Sequence, residues 1–165
     1  MNFTVTITTC NRAQSLARTL DAVHGQDFDP GSFQLIVADN GSTDETKSVC
    51  ERAQARFSDF TYIYDARPGQ MVGWHLALAR ASGEITCFID DDVSPEPTWL
   101  SALADAFAAA GVGLATGPIR LAYETSPPDW LEHMTLGEPG GQTLPFLGLL
   151  DAGPDIREIP HNMVW

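Results

Sequence analysis

The sequence predicts an α/β fold in which a mostly parallel central sheet is flanked by helices. Four short segments rich in β-branched or other apolar residues alternate with four segments whose apolar residues recur at helical spacing. The connections between them are short, as in sheets whose consecutive strands are joined by crossover helices. Because ligands of such sheets bind beyond the carboxyl ends of the strands, we expect the functional side chains there.

The first half of the chain is predicted to supply two strands, Thr4–Thr8 and Gln34–Ala38. A polar turn, Thr9–Arg12, follows the first strand, and Asp39 ends the second. Ser42 and Glu45 have the spacing of a capping box at the start of the second helix. The apolar residues that mark the first two helices are Leu16, Leu20 and Val23, then Val49, Ala53 and Phe57.

The third strand is predicted at Thr61–Tyr64, followed by the turn Asp65–Gly69 and a third helix. Gly83 is expected to end that helix as the residue after its C-cap. Short strands are predicted at Leu114–Gly117 and Ile119–Tyr123. The residues that mark the last two helices are Val72, Leu76 and Ala79, then Trp99, Leu100, Leu103 and Phe107.

The fourth predicted strand, Ile85–Ile89, runs directly into the three acids Asp90, Asp91 and Asp92. Adjacent carboxylates repel one another unless a cation or hydrogen-bond donors compensate them. Carboxylate oxygens are hard ligands suited to Mg²⁺ or Mn²⁺. The pattern therefore favours a divalent metal site at this edge of the sheet, and the alternative is a solvated acidic turn.

The composition limits the classes of partner. With 9 basic and 22 acidic residues, the formal net charge is −13, which argues against binding to a nucleic-acid backbone or an anionic membrane. The three cysteines lack metal-site spacing and are expected to be free thiols of a reducing compartment. No signal peptide or integral membrane segment is visible. We therefore expect a cytoplasmic protein, and its oligomeric state stays open.

The polar turn after strand one, Asp39 after strand two and the three acids after strand four are expected at one sheet edge. Such a pocket suits a nucleotide diphosphate, because a metal can bridge its phosphates while an isolated carboxylate accepts from a base or ribose.

Four segments resemble motifs of the family 2 glycosyltransferases. They are Thr6–Arg12, Val37–Asp44, Ala81–Glu84 and Asp90–Asp92, which match the family's "YNR"-like turn, "VDDGSTD" segment, "A-x-G-E" and metal-binding D-x-D in order and spacing. Cys10 replaces the usual aromatic residue and Asn40 the second acid of the middle motif. The resemblance implies the Rossmann-like nucleotide-diphospho-sugar transferase (GT-A) fold.

The resemblance also implies roles for individual residues. The turn residues Thr9, Asn11 and Arg12 would line the nucleotide pocket, and Asp39 would accept a hydrogen bond from the base, uracil being expected. Asp90 would face the ribose or the water shell of the metal. In the variable position, Asp91 is expected to be a solvated neighbour on the nucleotide side. Asp92 would ligate Mn²⁺ or Mg²⁺, and Arg67 is a candidate phosphate partner with an ordinary surface arginine as the alternative.

The division predicted for the chain is a nucleotide-sugar-binding α/β domain over residues 1–123 and an irregular acceptor-side region of the same domain over 124–165. Pro160–Trp165 resembles the family's "GANMAF" segment, which an acidic motif carrying the catalytic base normally follows. None of the acids Asp129, Glu132, Asp151, Asp155 and Glu158 matches that motif. The base is therefore expected beyond Trp165, which would make the chain an incomplete, donor-binding portion of an enzyme.

The activity that the resemblance implies is inverting sugar transfer from a UDP-sugar to a glycan, lipid-linked or other hydroxyl acceptor. A non-catalytic nucleotide-sugar-binding domain is an alternative. A phosphatase using Asp90 is another, although three strands precede that motif here. A nucleotidyltransferase is the third, although its glycine-rich turn is missing from Thr9–Arg12.

Overall fold

The computed structural model describes residues 2–120, 122–123 and 125–126, and the backbone of two short strands further along the chain. The backbone divides into two compact units, 1–113 and 114–165. The predicted boundary after residue 123 stays a prediction.

The first unit is built on a four-stranded parallel sheet in the order β3-β2-β1-β4. This arrangement confirms the predicted parallel α/β fold. Its strands are β1 (Phe3–Thr9), β2 (Phe33–Asp39), β3 (Phe60–Tyr64) and β4 (Ile85–Asp90).

Four helices connect or follow the strands where the periodicity predicts them. They are α1 (Ala13–His24), α2 (Thr46–Gln54), α3 (Gln70–Leu78) and α4 (Trp99–Ala108), with a short 3-10 turn at Pro30–Ser32. Across the described part of the chain, none of the helices has the length and apolar character needed to cross a membrane.

The core lies around β1, all seven residues of which are buried. Val5 and Ile7 belong to one apolar cluster with Leu35 and Val37 of β2 and with Leu16 of α1. Phe3, Val5 and Ile7 alternate along β1 with threonines that are also buried, and the hydroxyls of Thr4 and Thr6 donate to the Gln34 side chain and to the Cys87 carbonyl. Strand β1 therefore lies within the core, between β2 and β4, and the polar turn leaves from its carboxyl end.

The capping box predicted at Ser42 and Glu45 is wrong. Helix α2 begins at Thr46, and neither predicted side chain caps it. Instead the Asp44 carboxylate accepts from the backbone N–H of Thr46 and, through its other oxygen, from the N–H of Ala13 at the start of α1. Asp44 thus accepts from one otherwise unpaired backbone N–H at the start of each of the two helices.

Gly83 does not follow the end of a helix as predicted, because α3 ends at Leu78 and its C-cap is Ala79. Gly83 instead lies against the start of β1, where an added Cβ would be 2.5 Å from the backbone carbon of Phe3 and 2.5 Å from the backbone nitrogen of Thr4. A glycine is therefore needed at this position because a side chain would clash with the backbone of β1.

The three cysteines are free thiols, as predicted. Cys10 is exposed, whereas Cys50 and Cys87 are buried and their burial raises the pKa of each thiol to about 12.

The second unit contains one described strand pair, β5 (Gln142–Leu144) and β6 (Leu149–Asp151), which is antiparallel. The strand predicted at Leu114–Gly117 is wrong, because that backbone forms none. In the segment predicted as a strand from Ile119, only Ile119 makes a bridge among the residues described. The acceptor-side segment Pro160–Trp165 lies outside the described residues, as do Asp129, Glu132, Asp155 and Glu158.

Candidate functional site

The register of the sheet brings the polar residues that follow three strands to one edge. Thr9 of β1 pairs with Asp39 of β2, and Thr8 pairs with Asp90 of β4. The neighbouring strands therefore end level with one another, and the turns after β1 and β4 leave the sheet side by side.

A polar cleft of about 390 Å³ opens at this edge. It brings together five of the predicted site residues, while Asn11, Asp39 and Arg67 do not line it. Its lining residues are Thr8, Thr9, Cys10, Arg12, Asn40, Pro68, Gly69, Gln70, Asp90, Asp91 and Asp92.

Asp91 is the buried anchor of the acidic turn, with only 3% of its surface exposed. One carboxylate oxygen accepts from the Thr9 hydroxyl at 2.7 Å and the other from Arg12 Nη1 at 2.8 Å. Its backbone carbonyl accepts from the Thr19 hydroxyl of α1 at 2.9 Å. Burial raises the pKa of Asp91, while the Thr9 hydrogen bond and the Arg12 charge oppose that rise. The expectation of a solvated neighbour at this position is wrong.

Arg12 joins two of the three acids. Its Nη1 contacts Asp91 and its Nη2 contacts Asp92 Oδ2, each at 2.8 Å. The charge of Asp91 is the main cause that raises the pKa of the Arg12 guanidinium. The turn after β1 is thus tied to the turn after β4 by a charged bridge as well as by the Thr9 hydrogen bond.

Asp90 and Asp92 present the accessible carboxylates of the cleft. Asp90 is exposed and accepts from Gln70 Nε2 at 2.8 Å, and the Asp92 side chain is 49% exposed. The residues described include no group of three or more histidine, cysteine or acidic side chains placed to hold a metal. Mg²⁺ in nucleotide sites, however, is bound through one or two carboxylates together with substrate phosphates and waters. Two exposed carboxylates beside a cleft therefore fit a divalent ion that arrives with a diphosphate.

Asp39 differs from these acids because it is 1% exposed. Its Oδ1 accepts from the Ser42 N–H at 2.8 Å, and its Oδ2 accepts from the Tyr62 hydroxyl at 2.6 Å. Burial, followed by this hydrogen bond to Asp39, raises the pKa of Tyr62. Each carboxylate oxygen can accept a second hydrogen bond, so a role toward the base stays a prediction that requires access to this buried group.

Asn11 shapes the turn after β1 from outside the cleft lining. It has a left-handed backbone with φ of +54°, which asparagine tolerates better than most residues. Its backbone N–H donates to Ser42 Oγ at 2.8 Å, and its side-chain oxygen accepts from the Thr43 N–H at 2.7 Å. The contacts in the structure make Asn11 a link between the turns after β1 and β2.

Arg67 is exposed and paired with Asp65, its Nη2 lying 2.6 Å from Asp65 Oδ2. The hydrogen bond from Arg67 lowers the pKa of Asp65 to about 2. The backbone carbonyl of Arg67 accepts a long hydrogen bond, 3.4 Å, from the side-chain amide of Asn40. A phosphate contact by this guanidinium stays a prediction.

Helix α3 contributes cleft residues that sequence reasoning missed, chiefly Gln70 at its start. The helix approaches the sheet edge closely at Gly73, where an added Cβ would be 2.6 Å from Asn40 Oδ1 and 2.7 Å from Thr8 Cγ2. A glycine inside a helical pattern was the available signal for such an approach. The glutamine itself carried no signal, because only the fold places it beside Asp90.

A parallel α/β sheet with a D-x-D turn at its carboxyl edge is the arrangement that the resemblance to the GT-A fold implies. The model of the family Glycosyl transferase family 2 matches residues 4–157, and the chain belongs to this family. Glycosyltransferase AglE of Haloferax volcanii is 28% identical over 120 residues, which are 72% of this chain and 40% of AglE. The chain thus spans less than half the length of this relative.

Solved structures show the same fold. The mannosyltransferase PcManGT from Pyrobaculum calidifontis, in complex with GDP-Man and Mn²⁺, has a TM-score of 0.64 and 27% identity over 68% of this chain and 34% of its own. S. aureus TarS 1-349 has a TM-score of 0.62 and 23% identity over 70% of this chain and 39% of its own. The GT-A fold expected from the motifs is confirmed.

Proposed function

We propose that this chain binds the nucleotide-diphosphate sugar donor of an inverting glycosyltransferase, with a UDP-sugar as the expected donor. The observation that carries the proposal is the pair of exposed carboxylates, Asp90 and Asp92, at the end of a buried strand in a family 2 chain. A strand aims them into a cleft whose other walls are turns and the start of a helix.

Asp92 is the proposed metal ligand. Asp90 lies on the same wall of the cleft and is proposed to contact the ribose or the water shell of the metal. When bound, Mn²⁺ or Mg²⁺ would neutralise the charge that grows on the departing diphosphate. That Mn²⁺ accompanies GDP-Man in the PcManGT complex supports this choice of metal. With a net charge of −13, the chain itself offers few cations for an anionic ligand.

Arg12 is the proposed phosphate contact within the cleft, and it is held by Asp91, whose carboxylate also accepts from the Thr9 hydroxyl. Gly69 and Gln70 begin α3 at the cleft wall, where backbone N–H groups of a helix start favour anions. Outside the cleft lining, the roles proposed are Asp39 toward the base, Asn11 by shaping the turn, and Arg67 toward phosphate.

The proposed reaction is in-line attack of an acceptor hydroxyl, from a glycan, a lipid-linked glycan or another molecule, on the anomeric carbon of the donor. A general base must take the hydroxyl proton, and we assign none within the described residues. Transfer by the whole enzyme is therefore part of the proposal, while donor binding is what the described site supports.

A thermal-shift panel tests the proposal with UDP, GDP, dTDP and CDP, each with Mn²⁺ and with EDTA. A ligand that binds only the folded chain raises its Tm, so we expect a Mn²⁺-dependent rise that is largest for UDP. The absence of any Mn²⁺-dependent rise would overturn donor binding, and a larger rise with GDP would overturn the choice of base. Radiolabelled UDP-sugars then test transfer and hydrolysis separately.

A further inference from the structure

We propose that Arg12 is a built-in counter-ion of Asp91 and Asp92 that competes with a divalent cation for the Asp92 carboxylate and must leave it when the cation binds. The inference rests on the proposed function, because it concerns the same Asp92. It assigns Arg12 a role before any ligand arrives, in addition to a later contact with phosphate.

The geometry places the two ends of the guanidinium on acids of opposite character. Nη1 is 2.8 Å from Asp91, which is buried and also held by the Thr9 hydroxyl. Nη2 is 2.8 Å from Asp92, which is half exposed. The contact to Asp91 is therefore anchored, whereas the contact to Asp92 can break without moving the rest of the turn.

The local charge explains why such a counter-ion is needed. Asp90 ends β4 and two more carboxylates follow it directly, and among the three the neutral amide of Gln70 donates only to Asp90. Among the described residues that line the cleft, Arg12 is the one cationic side chain. Without it, Asp91 and Asp92 would be left with their mutual repulsion and no compensating charge.

A divalent cation at Asp92 would meet this same positive charge. Binding has to replace the Arg12–Asp92 contact and tolerate the guanidinium nearby, so Arg12 lowers the affinity for the bare ion. A diphosphate offers the guanidinium a new charge-assisted partner. The arrangement therefore favours the metal–nucleotide complex over the metal alone and makes the binding of the two cooperative.

The test is the affinity for Mn²⁺ alone, measured from the free-ion electron paramagnetic resonance signal. We expect Arg12→Gln to bind Mn²⁺ about fivefold more tightly than the wild type, the upper range for one partly exposed ion pair. The same variant should have a lower Tm without metal, because the acids lose their counter-ion. Arg56→Gln is the matched control, since it removes a surface pair with Asp21 of α1 and should leave Mn²⁺ affinity unchanged.

Equal or weaker Mn²⁺ binding by folded Arg12→Gln would overturn the inference while leaving the proposed function intact. Wild-type protein that binds neither Mn²⁺ nor UDP with Mn²⁺ would instead overturn the proposed function, and this inference with it. If Arg12→Gln fails to fold, Arg12→Lys decides the question. A lysine keeps the charge but cannot bridge both acids in the same planar geometry, so Mn²⁺ affinity should rise about twofold, and an unchanged or lower affinity would contradict the proposal.

Discussion

Asp39 at the end of β2 and Asp90–Asp92 at the end of β4 occupy equivalent places in the sheet but have opposite surroundings. Asp39 is enclosed, and each of its oxygens accepts from a donor of the protein. After β4 only Asp91 is enclosed, and Asp90 and Asp92 remain exposed to the cleft. The position of an acid at the carboxyl end of a strand is therefore not enough to make it available to a ligand.

The supply of internal donors makes the difference. The turn after β2 offers the Ser42 N–H, and β3 offers the Tyr62 hydroxyl, to a single carboxylate. After β4 there are three carboxylates, and their described partners are Thr9, Arg12 and Gln70. Asp90 and Asp92 therefore keep carboxylate oxygens that can bind an external cation. Asp39 instead uses both oxygens in contacts that hold β2 to the following turn and to β3.

The largest expected effect is on metal-dependent nucleotide binding. Asp92→Asn removes the proposed ligand charge and should weaken UDP binding in Mn²⁺ about 100-fold, the upper end of the losses seen when groups that support a metal site are removed. In EDTA the variant should match the wild type. Calorimetric titration measures both, and Asp105→Asn on the exposed side of α4 is the control. A loss in EDTA as large as that in Mn²⁺ would contradict a metal role.

The next largest effect is on stability at the end of β2. Asp39→Ala leaves the partly buried donors of Ser42 and Tyr62 without their acceptor and should lower the free energy of unfolding by about 2–4 kcal/mol. Urea denaturation measures the change, with Asp105→Ala as the surface control. A change below about 0.5 kcal/mol, typical of a surface substitution, would show that Asp39 is not structural.

A smaller loss is expected when only one donor to Asp39 is removed. Tyr62→Phe should lower the free energy of unfolding by about 1.5 kcal/mol, because the hydrogen bond ends on a charged group. Tyr64→Phe is the matched control on the same strand, since Tyr64 is 56% exposed. Equal effects of the two variants would contradict the Asp39–Tyr62 contact.

The smallest expected effect is the pH dependence of the difference in unfolding free energy between the wild type and Tyr62→Phe. The folded chain raises the pKa of Tyr62 above its ordinary value near 10. The stabilising contribution is complete below that ordinary pKa and is lost as the pH rises toward the folded pKa, because the unfolded chain releases the proton first. From about pH 8 to about pH 10.5, the stability gap between wild type and Tyr62→Phe should narrow by roughly 0.5–1 kcal/mol. A gap that widens would reverse the assigned sign.

Much of the fold followed from local sequence pattern. The four strands and four helices are marked by apolar spacing, and the fold confirms each of them. The predictions for Gly83 and for the capping box at Ser42 and Glu45 are wrong because Gly83, and Asp44 which caps the helix instead, both act across the chain. Gly83 makes room for β1, and Asp44 caps α1 from a turn about thirty residues later.

The site was predictable as a set of segments but not as a set of contacts. The register alone brings Thr9, Arg12 and the β4 acids together, as parallel strands require. The burial of Asp91 and the enclosure of Asp39 depend on which hydrogen-bond donors the neighbouring turns and strands present. The apolar pattern that predicts a strand carries no information on those donors. Gln70 enters the cleft only because Gly73 lets α3 approach the sheet.

The most direct test of the contrast between the two strand ends is the Mn²⁺ affinity of two isosteric variants, Asp92→Asn and Asp39→Asn. Electron paramagnetic resonance on folded protein, confirmed by circular dichroism, reports free Mn²⁺ in each titration. We predict that Asp92→Asn loses Mn²⁺ binding while Asp39→Asn keeps the wild-type affinity. Retained affinity in Asp92→Asn, or loss confined to Asp39→Asn, would contradict the assignment of the metal site to the end of β4.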